Sequence, residues 1–112
     1  MTTDFYCTQV FSGKTPIKKV LETERVLAYH HTRPNWPVHI VIVPKEHIVD
    51  LLALKDNALA TELLDVIKKV AAQVTAEHGA VRVLTNLGKY QDSKHLHFHV
   101  ISGEPLPDVV QK

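Results

Sequence analysis

Cysteine, excess charge of either sign and long apolar runs are what this chain of 112 residues has least of. Its one cysteine, Cys7, excludes an intramolecular disulfide and leaves no cysteine pair for a zinc ribbon or finger, which fits a reducing compartment. Thirteen basic residues against twelve acidic ones give a formal charge of +1, so no strong field draws nucleic acid or an anionic membrane, and an anionic ligand must be held locally. No apolar segment reaches the roughly 18 residues a membrane span needs, and "MTTDFYCTQVFSGK" lacks a basic stretch followed by an apolar run. Repeats and low-complexity tracts are absent too. These absences lead us to expect a cytoplasmic protein of one domain spanning residues 1–112, with an ill-defined segment over 1–12 and a short tail over 104–112, no partner nucleic acid and no membrane contact.

What is present is a clear alternation of periods. "ETER" at 22–25 separates apolar runs around Val20 and Leu21 from "VLAYHH", which reads as a hairpin. "TRPNWP" at 32–37 must be a loop, and the β-branched "VHIVIVP" after it reads as a central strand with His39 its single polar intrusion. From Asp56 the apolar residues Leu59, Leu63, Val66, Ile67, Val70 and Val74 recur with a period of about 3.6, so one long helix runs from a cap at Asp56 or Asn57 to Gly79. "VRVLTN" and "HLHFHVIS" are two final strands. The expected fold is α+β: an antiparallel sheet of about five strands, one face under the helix and the other open.

Three of the eight histidines stand in "SKHLHFHVIS" at alternate positions, His95, His97 and His99. In a strand they share one face, while Leu96, Phe98 and Val100 face the helix. A metal site, a nucleophile with its helpers, and a merely polar sheet face are the three readings. At about 3.3 Å per residue His95 and His99 lie roughly 13 Å apart, too far to share one ion with bonds near 2.0 Å, although two neighbours could do so. A neutral imidazole suits attack on phosphorus, provided an acceptor fixes its tautomer and donors hold the phosphate. A histidine with another on each side meets that list. A polar face without chemistry would more often use Thr, Lys or Glu.

"HLHFHVI" resembles the H-φ-H-φ-H-φ-φ signature of the histidine triad, or HIT, superfamily. "HIVIVPKEH" at 39–47, "TPIKKVLETERVLAYHHTRP" and "VLTNLG" resemble its other segments in order, so the similarity spans roughly residues 5–103. The short chain is most similar to the Hint-like branch, the nucleoside phosphoramidate hydrolases. That resemblance implies a homodimer that binds a purine nucleotide on the open sheet face and cleaves its phosphorus to nitrogen bond without a metal or other cofactor. It implies a catalytic set of His97 as the nucleotidylated nucleophile, His99 at the phosphate and leaving group, the His95 carbonyl orienting His97, and His39 beside them. Nucleotide contacts would come from Asn86, Gln91, Ser93, Tyr29 and His31. Hydrolysis of diadenosine polyphosphates or adenylylated adducts is the enzyme alternative, and a nucleotide-binding module with weak or no catalysis is the other.

Three departures from the family pattern stand out. His31 occupies the place of an Asp that grips the ribose hydroxyls, and a neutral imidazole cannot be an ionised double acceptor. Asp92 introduces a carboxylate into the phosphate turn. Some relatives carry a C-x-x-C and two histidines as a structural zinc site; with Cys7 alone, no such zinc is expected, and Cys7 should be a small buried filler.

Overall fold

The structure is a computed structural model, and it describes residues 6–107; the expected ends of the chain, 1–5 and 108–112, lie outside the described residues. Strands β1 (Lys18–Glu22), β2 (Val26–His30) and β3 (Val38–Pro44) precede helix α1 (Asn57–His78), and β4 (Arg82–Leu84) and β5 (Phe98–Ser102) follow it. All neighbours pair antiparallel in the order β1-β2-β3-β5-β4. This is the expected α+β architecture, with β3 at its centre. Among the described residues no helix is long and apolar enough to cross a membrane.

Helix α1 forms where the 3.6 period predicts it. Asp56 caps it by accepting hydrogen bonds from the Ala58 and Leu59 amides, and Gly79 ends it in the left-handed region at φ 84°. Its buried face is Leu59, Leu63, Val66, Ile67, Val70 and Val74. They pack on Val26, Ala28, Ile40, Ile42 and Val100 from the sheet and on Leu96 just ahead of its β5 strand. Each such side chain, once fully buried, contributes roughly 1.5–3 kcal/mol, so this layer fixes the sheet's orientation under the helix.

Two points differ from the sequence reading. The last strand begins only at Phe98, so His95 and His97 lie just ahead of it. The peptide on either side of His97 is held instead by non-ladder bonds: the Leu96 amide donates to the Ile48 carbonyl, and the Thr85 hydroxyl donates to the His97 carbonyl. The second face of the sheet is also not fully open. A wide turn over Tyr6–Val10 places Tyr6 and Val10 on Leu27, Tyr29, Val41 and Val43, a second apolar cluster. No hydrophobic period in so short a segment announces that packing.

Candidate active site

Strand β3 presents His39 and strand β5 presents His99 on the face away from the helix, and the pairing of Val41 with His99 sets their register. The chemistry of their partners fixes which nitrogen carries each proton. The Asn35 amide donates to Nδ1 of His39, so the His39 proton is on Nε2. That Nε2 lies 2.9 Å from Nδ1 of His99 and donates to it, which leaves His99 with its own proton on Nε2. One backbone N–H thus sets two imidazole tautomers in series.

His97 is set independently. Its Nδ1 donates to the carbonyl of His95 at 2.8 Å, so Nε2 keeps its lone pair. The His97 and His99 rings are 4.9 Å apart and nearly perpendicular, and the Tyr6 ring lies 5.2 Å from that of His97. His97 is buried at 6% exposure, which keeps bulk water off its ring.

Burial and crowding keep the neighbouring imidazoles neutral. Desolvation, then the neighbouring His31, His99 and His97, pushes His39 down to about 3. Desolvation, then His97 and His31, pushes His99 down to about 4. His31 is lowered for the same reasons, burial first and then His97. Burial pushes the Tyr29 phenol up, opposed by its hydrogen bond with Tyr6.

A cavity of about 450 Å³ opens on this group, lined by His97, His99, Ser93, Tyr29 and His31 among others. Ser93 lines it, and its buried hydroxyl has no hydrogen-bond partner among the described residues. A second cavity of about 490 Å³ shares His31, Arg33, Asp92 and His99 and is walled by Trp36 and Leu84. Another of about 490 Å³, between the end of α1 and Gly103, contains none of these histidines.

The structure therefore brings together His39, His97, His99, His31, Tyr29 and Ser93, and sets three residues apart. Gln91 needs correction: its side chain is buried and donates to the Val49 carbonyl at 2.7 Å, so it braces the loop beneath the site instead of facing a phosphate. Asn86, half-buried beyond β4, lines neither cavity around the triad. The His95 side chain points below the site, donating from Nε2 to the Pro44 carbonyl, and only its own carbonyl reaches His97. Asp92, exposed, lines both cavities.

Cys7 is exposed, not a buried filler. Its thiol faces Nδ1 of His95 at 3.7 Å, and Cys7, His47 and His95 place ligand atoms within 4.8 Å of one another. A structural zinc needs four ligands. The place three residues after Cys7 is Val10, buried in the apolar cluster, so these residues do not form the four-ligand set.

Sequence reasoning missed Tyr6, Arg33, Thr32 and the amide of Asn35. Only the position of the last three in the Pro-bounded loop before His39 could have signalled them.

The HIT domain model matches residues 12–106. The chain belongs to the HIT family. It is 35% identical to a 13.2 kDa HIT-like protein of Azospirillum brasilense over 93% of this chain and 89% of that one, and 32% identical to a HIT-like protein of Helicobacter pylori over 86% and 93%. Among solved structures it is similar to a histidine triad protein from Clostridium difficile, 34% identical with a TM-score of 0.76 and 93% of each chain covered. It is also similar to a HIT family hydrolase from Legionella pneumophila, 27% identical with a TM-score of 0.77, covering 91% of this chain and 94% of that one.

Proposed function

We propose that this HIT protein is a nucleotide-binding hydrolase or transferase that cleaves nucleoside phosphoramidates through a nucleotidyl intermediate on His97. The observation that carries this reading is the lone pair on His97 Nε2, held by the His95 carbonyl, beside a His99 whose Nε2–H is set by His39. The names of solved relatives, a HIT family hydrolase and a histidine triad nucleotide-binding protein from Candida albicans, agree with it.

In the first step Nε2 of His97 attacks phosphorus and forms the N–P bond. The phosphorus to nitrogen bond of the N-protonated phosphoramidate breaks, its electron pair stays on the nitrogen, and the neutral amine leaves, while His99 Nε2–H donates a hydrogen bond to the phosphate. The cationic nucleotidyl-imidazole on His97, 4.9 Å from the His99 ring, is offset by the phosphate anion it carries. Water then attacks phosphorus, gives its proton to solvent and restores the electron pair to His97. Ser93, with its unpaired hydroxyl, donates to a phosphate oxygen. His39 acts through His99 and is a positioning residue.

We place the enzyme in the cytoplasm as a homodimer. The three-residue edge strand β4 with Val83 43% exposed, and Leu64 58% exposed on α1, support a second copy at that edge. Light scattering on the purified chain tests the dimer.

Incubation with an adenosine phosphoramidate, with and without a chelator, followed by intact mass, tests the chemistry. A transient adduct of one nucleoside monophosphate, absent in His97→Asn and indifferent to chelation, is expected. Binding without turnover overturns the enzyme reading in favour of a nucleotide-binding module.

A further inference from the structure

The tautomer of His39, and through it that of His99, depends on where the Asn35 amide points. Two peptide planes meet at the Asn35 Cα, and both are restrained. On one side Pro34 fixes its own φ at about −65° and narrows the freedom of the plane that carries the Asn35 N–H. On the other, the Asn35 carbonyl accepts a hydrogen bond of 2.9 Å from the amide of Leu106. Leu106 lies beyond β5, and the chain leaves that strand by turning at Gly103, φ 91°, beside Pro37. A Cβ at Gly103 would lie 2.9 Å from Cγ of Pro37, so the approach is close. The segment after β5 thus meets the loop on both sides of Trp36, whose ring stands edge-on to His39 with centroids 5.2 Å apart.

Without the Leu106 bond, Asn35 is free to turn its amide away from His39. Nδ1 of His39 then has no donor, and the ring can carry its proton there instead of on Nε2. The contact between His39 Nε2 and His99 Nδ1 survives that exchange only if His99 moves its proton to Nδ1 and becomes the donor. The two rings therefore change tautomer together, both staying neutral, and His99 is left with a lone pair on Nε2. His97 is exempt, because its Nδ1 donates to the His95 carbonyl.

We propose that the segment from Gly103 to Leu106 is a positioning element: by holding the Asn35 carbonyl it keeps the Asn35 amide on His39 and so keeps a proton on Nε2 of His99. The part of this that concerns turnover rests on the proposed reaction, in which that N–H donates to the phosphate. The part that concerns the tautomers needs no substrate. The backbone N–H of Leu106 carries the role, and its side chain does not.

Long-range proton to nitrogen-15 correlation spectra of the full chain near neutral pH read the tautomer of each imidazole directly. In the wild type His39 and His99 should carry the proton on Nε2 and His97 on Nδ1. Leu106→Pro removes the amide in a stretch already flanked by Pro105 and Pro107, and it should give both tautomers at His39 and His99 with His97 unchanged. Leu106→Ala keeps the amide and should match the wild type. Gly103→Ala, which presses on Pro37 and leaves the Leu106 amide in place, should also give the mixture. With an adenosine phosphoramidate, Leu106→Pro should lower kcat by roughly 2- to 10-fold, the value of one hydrogen bond, with KM within about twofold. Single Nε2–H tautomers at His39 and His99 in both Leu106→Pro and Gly103→Ala overturn the positioning role. Absence of turnover in the wild type, with the tautomers responding as expected, overturns the enzyme reading and leaves the positioning role standing.

Discussion

His39 Nε2 and His99 Nδ1 lie 2.9 Å apart across neighbouring strands, with the Asn35 amide on the far side of His39. The arrangement carries a backbone hydrogen bond through His39 to His99, so that the Asn35 amide decides which nitrogen of His99 can donate.

Replacing His39 with Phe keeps the ring's volume and removes the relay. We expect kcat to fall by roughly 10- to 100-fold with KM moved less, the acid side of the rate profile to shift, and His39→Gln to recover part of the loss because its amide can still donate to His99. The unpaired Asn35 amide should cost about 1–3 kcal/mol in urea unfolding. Unchanged kcat in His39→Phe would remove His39 from the mechanism.

His97→Asn should lower turnover by at least about a thousandfold, because no other lone pair at the phosphorus replaces it. Single-turnover kinetics with calorimetric binding separates this from a folding defect: the nucleotide should still bind.

Acid should destabilise the fold before it protonates the site. His39 and His99 titrate in the folded chain near 3 and 4, well below the ordinary histidine value of about 6.5 that they regain on unfolding. The unfolded chain therefore takes up protons first, so the stability these groups contribute is complete above about pH 6.5 and declines from there down towards pH 4. The limit is about 1.4 kcal/mol per pH unit for each imidazole, less whatever solvent screening removes. Chemical denaturation at pH 7, 6 and 5 measures the slope, and His39→Phe should flatten it.

Two glycines separate backbone strain from steric conflict. Gly79 and Gly103 both have positive φ, 84° and 91°, but a Cβ at Gly79 meets open space while one at Gly103 would lie 2.9 Å from Cγ of Pro37. Gly79→Ala should cost about 1 kcal/mol from the left-handed conformation alone, and Gly103→Ala about 1–3 kcal/mol more. Gly103→Ala should also lower kcat, since Pro37 belongs to the loop that carries Asn35, whereas Gly79→Ala should leave it alone. Denaturant midpoints and initial rates on both variants check this.

Much of this architecture was legible in the residues. Six apolar positions at helical spacing on α1 are the six that bury, and Asp56 and Gly79 cap the helix because their chemistry is local. The alternation of histidines with Leu96, Phe98 and Val100 likewise separated the helix side from the side that holds the histidines, since Leu96 and Val100 sit in the helix-facing core with Phe98 packed against it. What could not be read were contacts between distant irregular segments. The family resemblance put Gln91 among the nucleotide contacts, yet the Val49 carbonyl, 42 residues away, engages its side chain. Arg33 and Tyr6 lie in segments without a period, and only the folded loops bring them to the cavity.

The wide turn at Tyr6–Val10 has a further consequence for how the molecule matures. Tyr6 and Phe11 rest on His95, and the rings of Tyr6 and His97 are 5.2 Å apart across a separation of 91 residues along the chain. Contacts of such long range form late, after sheet and helix are in place. During synthesis the residues made early must therefore wait for β5 before they can close over His97. A ribosome-bound chain that has not yet made that strand has no His99 beside His39 and no partner for the edge of β3.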